Sequence, residues 1–156
     1  MLIHLIRHGH AGHRSEWDHD DALRPLVGRG RREAKAIAAA LAAEPIDLVW
    51  SSTFVRCRET VEPLARGHGV KVEDNDLFTE GGYGPPALDA LLAAAAEGRT
   101  VAACSHGDVI PLVVSTALRR GARLAGPPSP AKGARYVLEV VDGQVARITH
   151  VGRPDV

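Results

Sequence analysis

The 156-residue chain has only two cysteines, Cys57 and Cys104, and they are not spaced as C-x-x-C. That excludes a disulfide scaffold, and both thiols are expected to be reduced and structural. Aromatic residues make up 4% of the chain, too few for the stacking platforms that hold single-stranded nucleic acid. Charge of one sign is lacking as well, since 19 Lys and Arg balance 19 Asp and Glu. No bulk field draws the protein to nucleic acid or to an anionic membrane, and any anion site must be local. No apolar run is long enough for a membrane span or a signal peptide: the opening MLIHLIRHGH is broken by His4 and Arg7, and the Ala90–Ala96 run is far too short. A cytoplasmic protein is the default expectation. Two phosphate-handling signatures are missing too. A C-x5-R loop would need Arg at position 63 or 110, where Pro63 and Ile110 stand, and there is no G-x-x-x-x-G-K-[ST] phosphate loop.

What is present alternates. Leu2 to Arg7 reads as a short buried strand, and His10 to Leu26 as a charged surface loop. Arg29 to Ala43, rich in helix formers, reads as a helix stopping before Pro45. Ile46 to Trp50 is a second strand; Ser51-Ser52-Thr53 then supplies N-cap candidates for a helix to Arg66. Val70 to Val72 is a third, marginal strand, followed by a Gly-, Pro- and acid-rich loop from Asp74 to Pro86. A helix over Pro86–Glu97, a buried strand over Thr100–Ser105 and a helix over Val109–Arg120 with Pro111 in its first turn come next. Gly126 to Pro130 reads as a stiff connector. Tyr136–Val141 and Val145–His150, joined by Asp142-Gly143, form a hairpin signal. The alternation predicts one α/β domain over residues 1–156: a three-layer sandwich with a mostly parallel central sheet flanked by helices, closed by an antiparallel hairpin. Ligands of such sheets bind outside the carboxyl ends of the strands.

Three polar clusters follow predicted strands: Arg7-His8-Gly9, Ser51 to Arg58, and Ser105-His106-Gly107-Asp108. A parallel sheet brings these ends to one edge, gathering two histidines with Arg7, Arg56 and Arg58. Taken singly, a strand-end histidine is usually a hydrogen-bonded structural residue and a helix arginine is usually solvated. Their joint placement points to an oxyanion site, because a phosphate needs several donors and arginine offers them as a planar fork.

Leu5 to Gly9, LIRHG, resembles the signature of the histidine phosphatase superfamily, also called phosphoglycerate mutase-like, in which the histidine is the nucleophile. Leu23-Arg24-Pro25-Leu26 with Gly30 and Ala34 resembles the R-P-L-T-x-x-G-x-x-x-A run of its SixA-type branch. Ser51-Ser52 with Arg56 to Thr60 resembles the S-x-x-x-R-x-x-x-T block, and Ser105-His106-Gly107 the second histidine motif. The resemblance implies a ping-pong phosphoryl transfer on phosphohistidine proteins or small phosphomonoesters. His8 would become phosphohistidine while Arg7, Arg56, His106 and Gly107 hold the phosphate, with no metal or cofactor. A backbone carbonyl near Gly9 would orient the His8 ring. Glu80, within Leu77 to Gly82, resembles the position where many members carry the general acid, though SixA-type members can lack it.

The chain departs from the branch at two places. Val27 stands where Thr is usual, removing a helix N-cap hydroxyl, and His10-Ala11-Gly12-His13 replaces residues common in mutases and larger phosphatases. The short Val70–Pro86 stretch leaves little for a lid, so an open site is expected. Two rivals remain. His8-x-His10-x-x-His13 matches the H-x-H-x-D-H metallohydrolase motif except that Gly12 takes the Asp position. A non-catalytic module that binds phosphorylated ligands is the other.

Overall fold

The computed structural model describes residues 1–156. Seven strands form one sheet: β1 (Leu2–Arg7), β2 (Leu48–Ser51), β3 (Val72–Asp74), β4 (Val101–Ser105), β5 (Arg123–Ala125), β6 (Arg135–Val141) and β7 (Gln144–Val151), in spatial order β3-β2-β4-β1-β6-β7-β5. Four helices cover it: α1 (Gly28–Ala40), α2 (Val55–Gly67), α3 (Gly84–Ala96) and α4 (Ile110–Arg119). β1, β4, β2 and β3 pair in parallel, whereas β6 joins β1 antiparallel and turns back into β7. The predicted α/β sandwich with a closing antiparallel hairpin is the fold observed.

The sheet separates two cores because successive strand side chains point to opposite faces. On one side Ile6, Val49, Ala102 and Cys104 meet Ile37 of α1 and Val61 and Leu64 of α2; on the other Ile3, Leu5, Val101 and Ala103 meet α3 and α4. All five residues of β4 are buried, as expected of a central parallel strand. The helix faces are thin where alanine dominates: α3 buries Ala87, Ala94 and Ala95 beside Leu88 and Leu91.

Several details differ from the sequence expectations, each for a local reason. α1 ends at Ala40, three residues early, with Leu41 as its C-cap turned into the core. The third strand begins at Val72, because the Val70 amide bonds back to the Ala65 carbonyl and closes α2. The N-cap of α2 is Phe54, without a side-chain cap; Ser52 is diverted to the functional site. β5, pairing in parallel with β7 at the sheet edge, has only three residues and no periodic signal. The hairpin turn has Asp142 at φ 53° and Gly143 at φ 78°, the left-handed pair that a two-residue type I′ turn requires.

Candidate active site

Register builds the site. Arg7 of β1 lies opposite Ser105 of β4, so His8 and His106, one residue further on, emerge side by side at the carboxyl edge. Their ring centroids are 5.4 Å apart, edge to face. Both are almost fully buried, yet both line a cavity of about 350 Å³ whose wall has no hydrophobic residue.

His8 is oriented from behind. Its Nδ1 lies 2.8 Å from the Gly9 carbonyl oxygen, which can only accept, so Nδ1 carries the proton and Nε2 keeps its lone pair. Burial lowers the His8 pKa to about 3, the Gly9 carbonyl opposes this, and the nearby His106, Arg56 and Arg7 charges lower it further. The ring is therefore an unprotonated imidazole over the whole neutral range. The Gly9 amide is tied to Thr60 Oγ1 at 3.0 Å, and that hydroxyl donates to the Arg56 carbonyl at 2.7 Å. One threonine thus couples the strand-end loop to the helix that carries Arg56.

His106 is held at its other nitrogen. Nε2 lies 2.8 Å from Ser52 Oγ and 3.5 Å from Cys57 Sγ, leaving Nδ1 uncommitted. Phe54 packs edge-on against the ring, and the Arg56 guanidinium sits 4.9 Å over the Phe54 face. The Arg7 guanidinium donates to the Pro130 carbonyl at 2.8 Å. A Cβ on Gly107 would approach its central carbon to 2.7 Å, so only glycine lets that guanidinium lie against the His106-Gly107 backbone. Arg7, Arg56, His8, His106 and Gly107 all line the cavity, the convergence expected from their strand-end positions.

Glu80 reaches the same cavity. Its carboxylate accepts from Arg14 at 2.8 Å and faces Arg56 Nη2 at 3.4 Å. The loop bearing it is pinned where Gly81 donates to Asp108 at 2.8 Å, next to the His106-Gly107 turn. Asp21 pairs with Arg56 at 3.0 Å and with Arg24 at 3.0 Å. Partial burial pushes the Asp21 carboxyl up, but hydrogen bonds from Arg24 and Arg56 outweigh it and hold the group below its ordinary value. Arg14 and Lys132 also line the cavity without any motif to mark them, whereas Ser52 is marked by its S-x-x-x-R spacing to Arg56.

The metallohydrolase spacing is not used as one. His8 commits Nδ1 to a carbonyl, and His10 donates Nδ1 to buried Glu33 at 2.9 Å. No group of three His, Cys, Asp or Glu side chains is placed to hold a metal. Cys57 and Cys104 are free and buried, as expected, although Cys57 also touches His106.

The sequence profile of the histidine phosphatase superfamily (branch 1) matches residues 3–86, which carry the first histidine motif and the arginine block. The chain belongs to this superfamily. It is 32% identical over 154 residues to an 8-oxo-(d)GTP phosphatase of Mycolicibacterium smegmatis, covering 97% of this chain and 48% of that protein. The chain thus spans about half the length of that relative. Among solved structures, a putative phosphohistidine phosphatase SixA from Nakamurella multipartitia is 27% identical with a TM-score of 0.66, over 88% of this chain and 83% of that one. The protein histidine phosphatase SixA complexed with tungstate superposes with a TM-score of 0.73 at 24% identity, over 97% and 94% of the two chains, a likeness of fold. The matched residues include His8 at the end of β1 and Arg56 on α2, and His106 lies beyond them. No helix of the chain is long and apolar enough to cross a membrane.

Proposed function

We propose that the chain is a metal-independent phosphatase that forms a phosphohistidine on His8 and acts on phosphohistidine proteins or small phosphomonoesters. The observation that carries this reading is the His8 ring: Nδ1 bonded to Gly9, Nε2 unprotonated, set among Arg7, Arg56 and His106. In-line attack needs a lone pair at neutral pH, and the transferred group needs fixed positive donors around its oxygens. All of these groups come from one sheet edge, which supports reading residues 1–156 as a single phosphatase domain.

In this reading His8 Nε2 bonds to phosphorus as the bond to the leaving group breaks. Arg7, Arg56, His106 and the Gly107 amide hold the non-bridging oxygens, and water then releases inorganic phosphate. The incoming phosphate takes over Arg56 from Asp21 and Glu80. Glu80, released from Arg56, takes a proton from solvent and passes it to a leaving alkoxide. The names of the relatives divide between protein phosphohistidine and a nucleoside triphosphate, so they favour neither a protein nor a small molecule.

The test is a substrate panel, p-nitrophenyl phosphate, nucleotides and a phosphohistidine protein, run with wild type and His8→Ala in EDTA. Turnover in wild type, loss in His8→Ala and an acid-labile phosphate on wild-type His8 are expected. No turnover of any substrate with no labelled histidine would instead favour a module that only binds phosphorylated ligands.

A further inference from the structure

Two cations of the cavity lack a carboxylate partner, Arg7 and Lys132, and of these Arg7 still donates to the Pro130 carbonyl. Arg14, Arg24 and Arg56 share the carboxylates of Asp21 and Glu80. Lys132 lines the same cavity, half-buried, and its ammonium makes neither an ion pair nor a hydrogen bond. Burial and then the charges of Arg7, Arg24 and Arg56 lower its pKa, so the group is both partly desolvated and repelled. Such a placement is unfavourable until an anion arrives.

Its position is not incidental to a mobile loop. The segment before β6 is fastened to the strand that carries His8 at three points: Arg7 Nη1 donates to the Pro130 carbonyl, the Gly133 amide donates to the His8 carbonyl at 3.0 Å, and the Arg7 amide donates to the Ala134 carbonyl at 3.0 Å. Gly133, at φ 81°, has room for a Cβ only 3.1 Å from buried Glu33, which presses the segment against α1. The backbone that bears Lys132 is therefore held against the strand end that carries His8, and the residue lines the same cavity.

The transferred phosphate, with at most two negative charges, is already surrounded by Arg7, Arg56 and His106. We propose that Lys132 binds a second phosphate adjacent to the transferred one, so that the preferred substrates are small molecules ending in a phosphoanhydride. This rests on the phosphatase reading above and narrows its substrate class. In the first step the His8 Nε2–phosphorus bond forms as the bridging phosphorus–oxygen bond breaks. The bridging oxygen stays on the second phosphate, and Lys132 meets its new charge. Water then attacks the phosphohistidine, restoring His8. One phosphoanhydride and one water give one phosphomonoester and one inorganic phosphate.

The probes are methylphosphonate and methylenediphosphonate, which carry one and two uncleavable phosphoryl-like groups, titrated calorimetrically into the full chain. Wild type is expected to bind the diphosphonate about tenfold or more tightly than the monophosphonate, the range of one charge-assisted hydrogen bond. Lys132→Gln should lose most of that advantage and Lys132→Arg should keep it. Equal affinity for the two probes, an advantage that survives Lys132→Gln, or equal weakening toward both probes overturns the proposal. Because binding is read without turnover, failure to phosphorylate His8 would sink the phosphatase reading and leave this result standing, and the reverse holds as well.

Discussion

His8 and His106, 98 positions apart by their numbers, stand edge to face with ring centroids 5.4 Å apart because β1 and β4 are parallel neighbours with Arg7 opposite Ser105. Each ring is fixed at one nitrogen by a group behind it, Gly9 for His8 and Ser52 for His106. The two histidines are nevertheless unequal. His8 has its protonated nitrogen turned to a carbonyl, which leaves Nε2 its lone pair, whereas His106 has Nε2 beside a hydroxyl and a thiol and, in the proposed mechanism, donates to the phosphate.

That inequality predicts different phenotypes. His106→Ala should lower kcat by about 10²–10³, the range for removing one preorganised donor, while a labelled phosphohistidine still forms on rapid quench. His8→Ala should abolish the label altogether. Equal loss of the label in both variants would contradict the assignment of His8 as nucleophile and His106 as donor.

Acid should unfold the protein through the same ring. His8 has a folded-state pKa of about 3 against an ordinary 6.5, so below 6.5 the unfolded chain binds a proton that the folded chain does not. Stability contributed by the neutral ring is complete above 6.5 and is lost as pH falls toward 3. At pH 5 the loss amounts to roughly 2 kcal/mol, from 1.5 pH steps at about 1.36 kcal/mol each. His4, buried with both ring nitrogens unpartnered and its pKa lowered chiefly by burial, adds a loss of the same sign. Urea unfolding at pH 7 and pH 5 should show this drop, and His8→Gln should shrink it by about the His8 share. A variant with the wild-type pH slope would mean that the ring is protonated in the folded state.

The parts of the site readable beforehand are those set by local pattern. An apolar run that stops at R-H-G or S-H-G fixes a strand end, and alternation with helices fixes the edge on which it lies, so Arg7, His8 and His106 could be placed without coordinates. Arg56 followed from its spacing after Ser52 within the family resemblance. Asp21 could not be placed, because its pairing with Arg56 spans 35 residues and depends on the path of a loop without periodicity. Lys132 was hidden for a related reason: the Gly- and Pro-rich stretch before it reads as a connector, and only the hydrogen bonds to β1 bring it to the cavity. β5 escaped because a three-residue edge strand carries no alternation to read.

The acid role proposed for Glu80 distinguishes two leaving groups. An alkoxide needs its proton, whereas the imidazole leaving from a phosphohistidine protein is a much better leaving group. Glu80→Gln should lower kcat for p-nitrophenyl-free alkyl phosphates by about 10²–10⁴ and for phosphohistidine by far less. The same substitution removes one partner of Arg14 and Arg56, so phosphate affinity should rise slightly as competition for Arg56 falls. Equal, negligible effects on both substrates would remove Glu80 from the mechanism and leave it as a charge partner.

The N-terminus of α1 offers a prediction that does not touch the chemistry. Val27 is its N-cap, extended at φ −87° and ψ 176°, with no side-chain cap and 41% of its surface exposed. Threonine has the same shape with a hydroxyl in place of one methyl, and at this backbone geometry the hydroxyl can accept from the amide of Arg29 or Gly30. Other constraints on the turn are already met, since the Val27 amide donates to the His10 carbonyl at 3.0 Å and its carbonyl accepts from Arg31 at 3.0 Å. Val27→Thr therefore adds a cap without moving the backbone and should stabilise the protein by about 0.5–1 kcal/mol. Urea midpoints at pH 7 would report the gain as a higher midpoint at constant slope. A lower midpoint would mean that the lost methyl contact with the His10–Leu26 loop outweighs the cap, and that the loop rather than the helix end governs stability here.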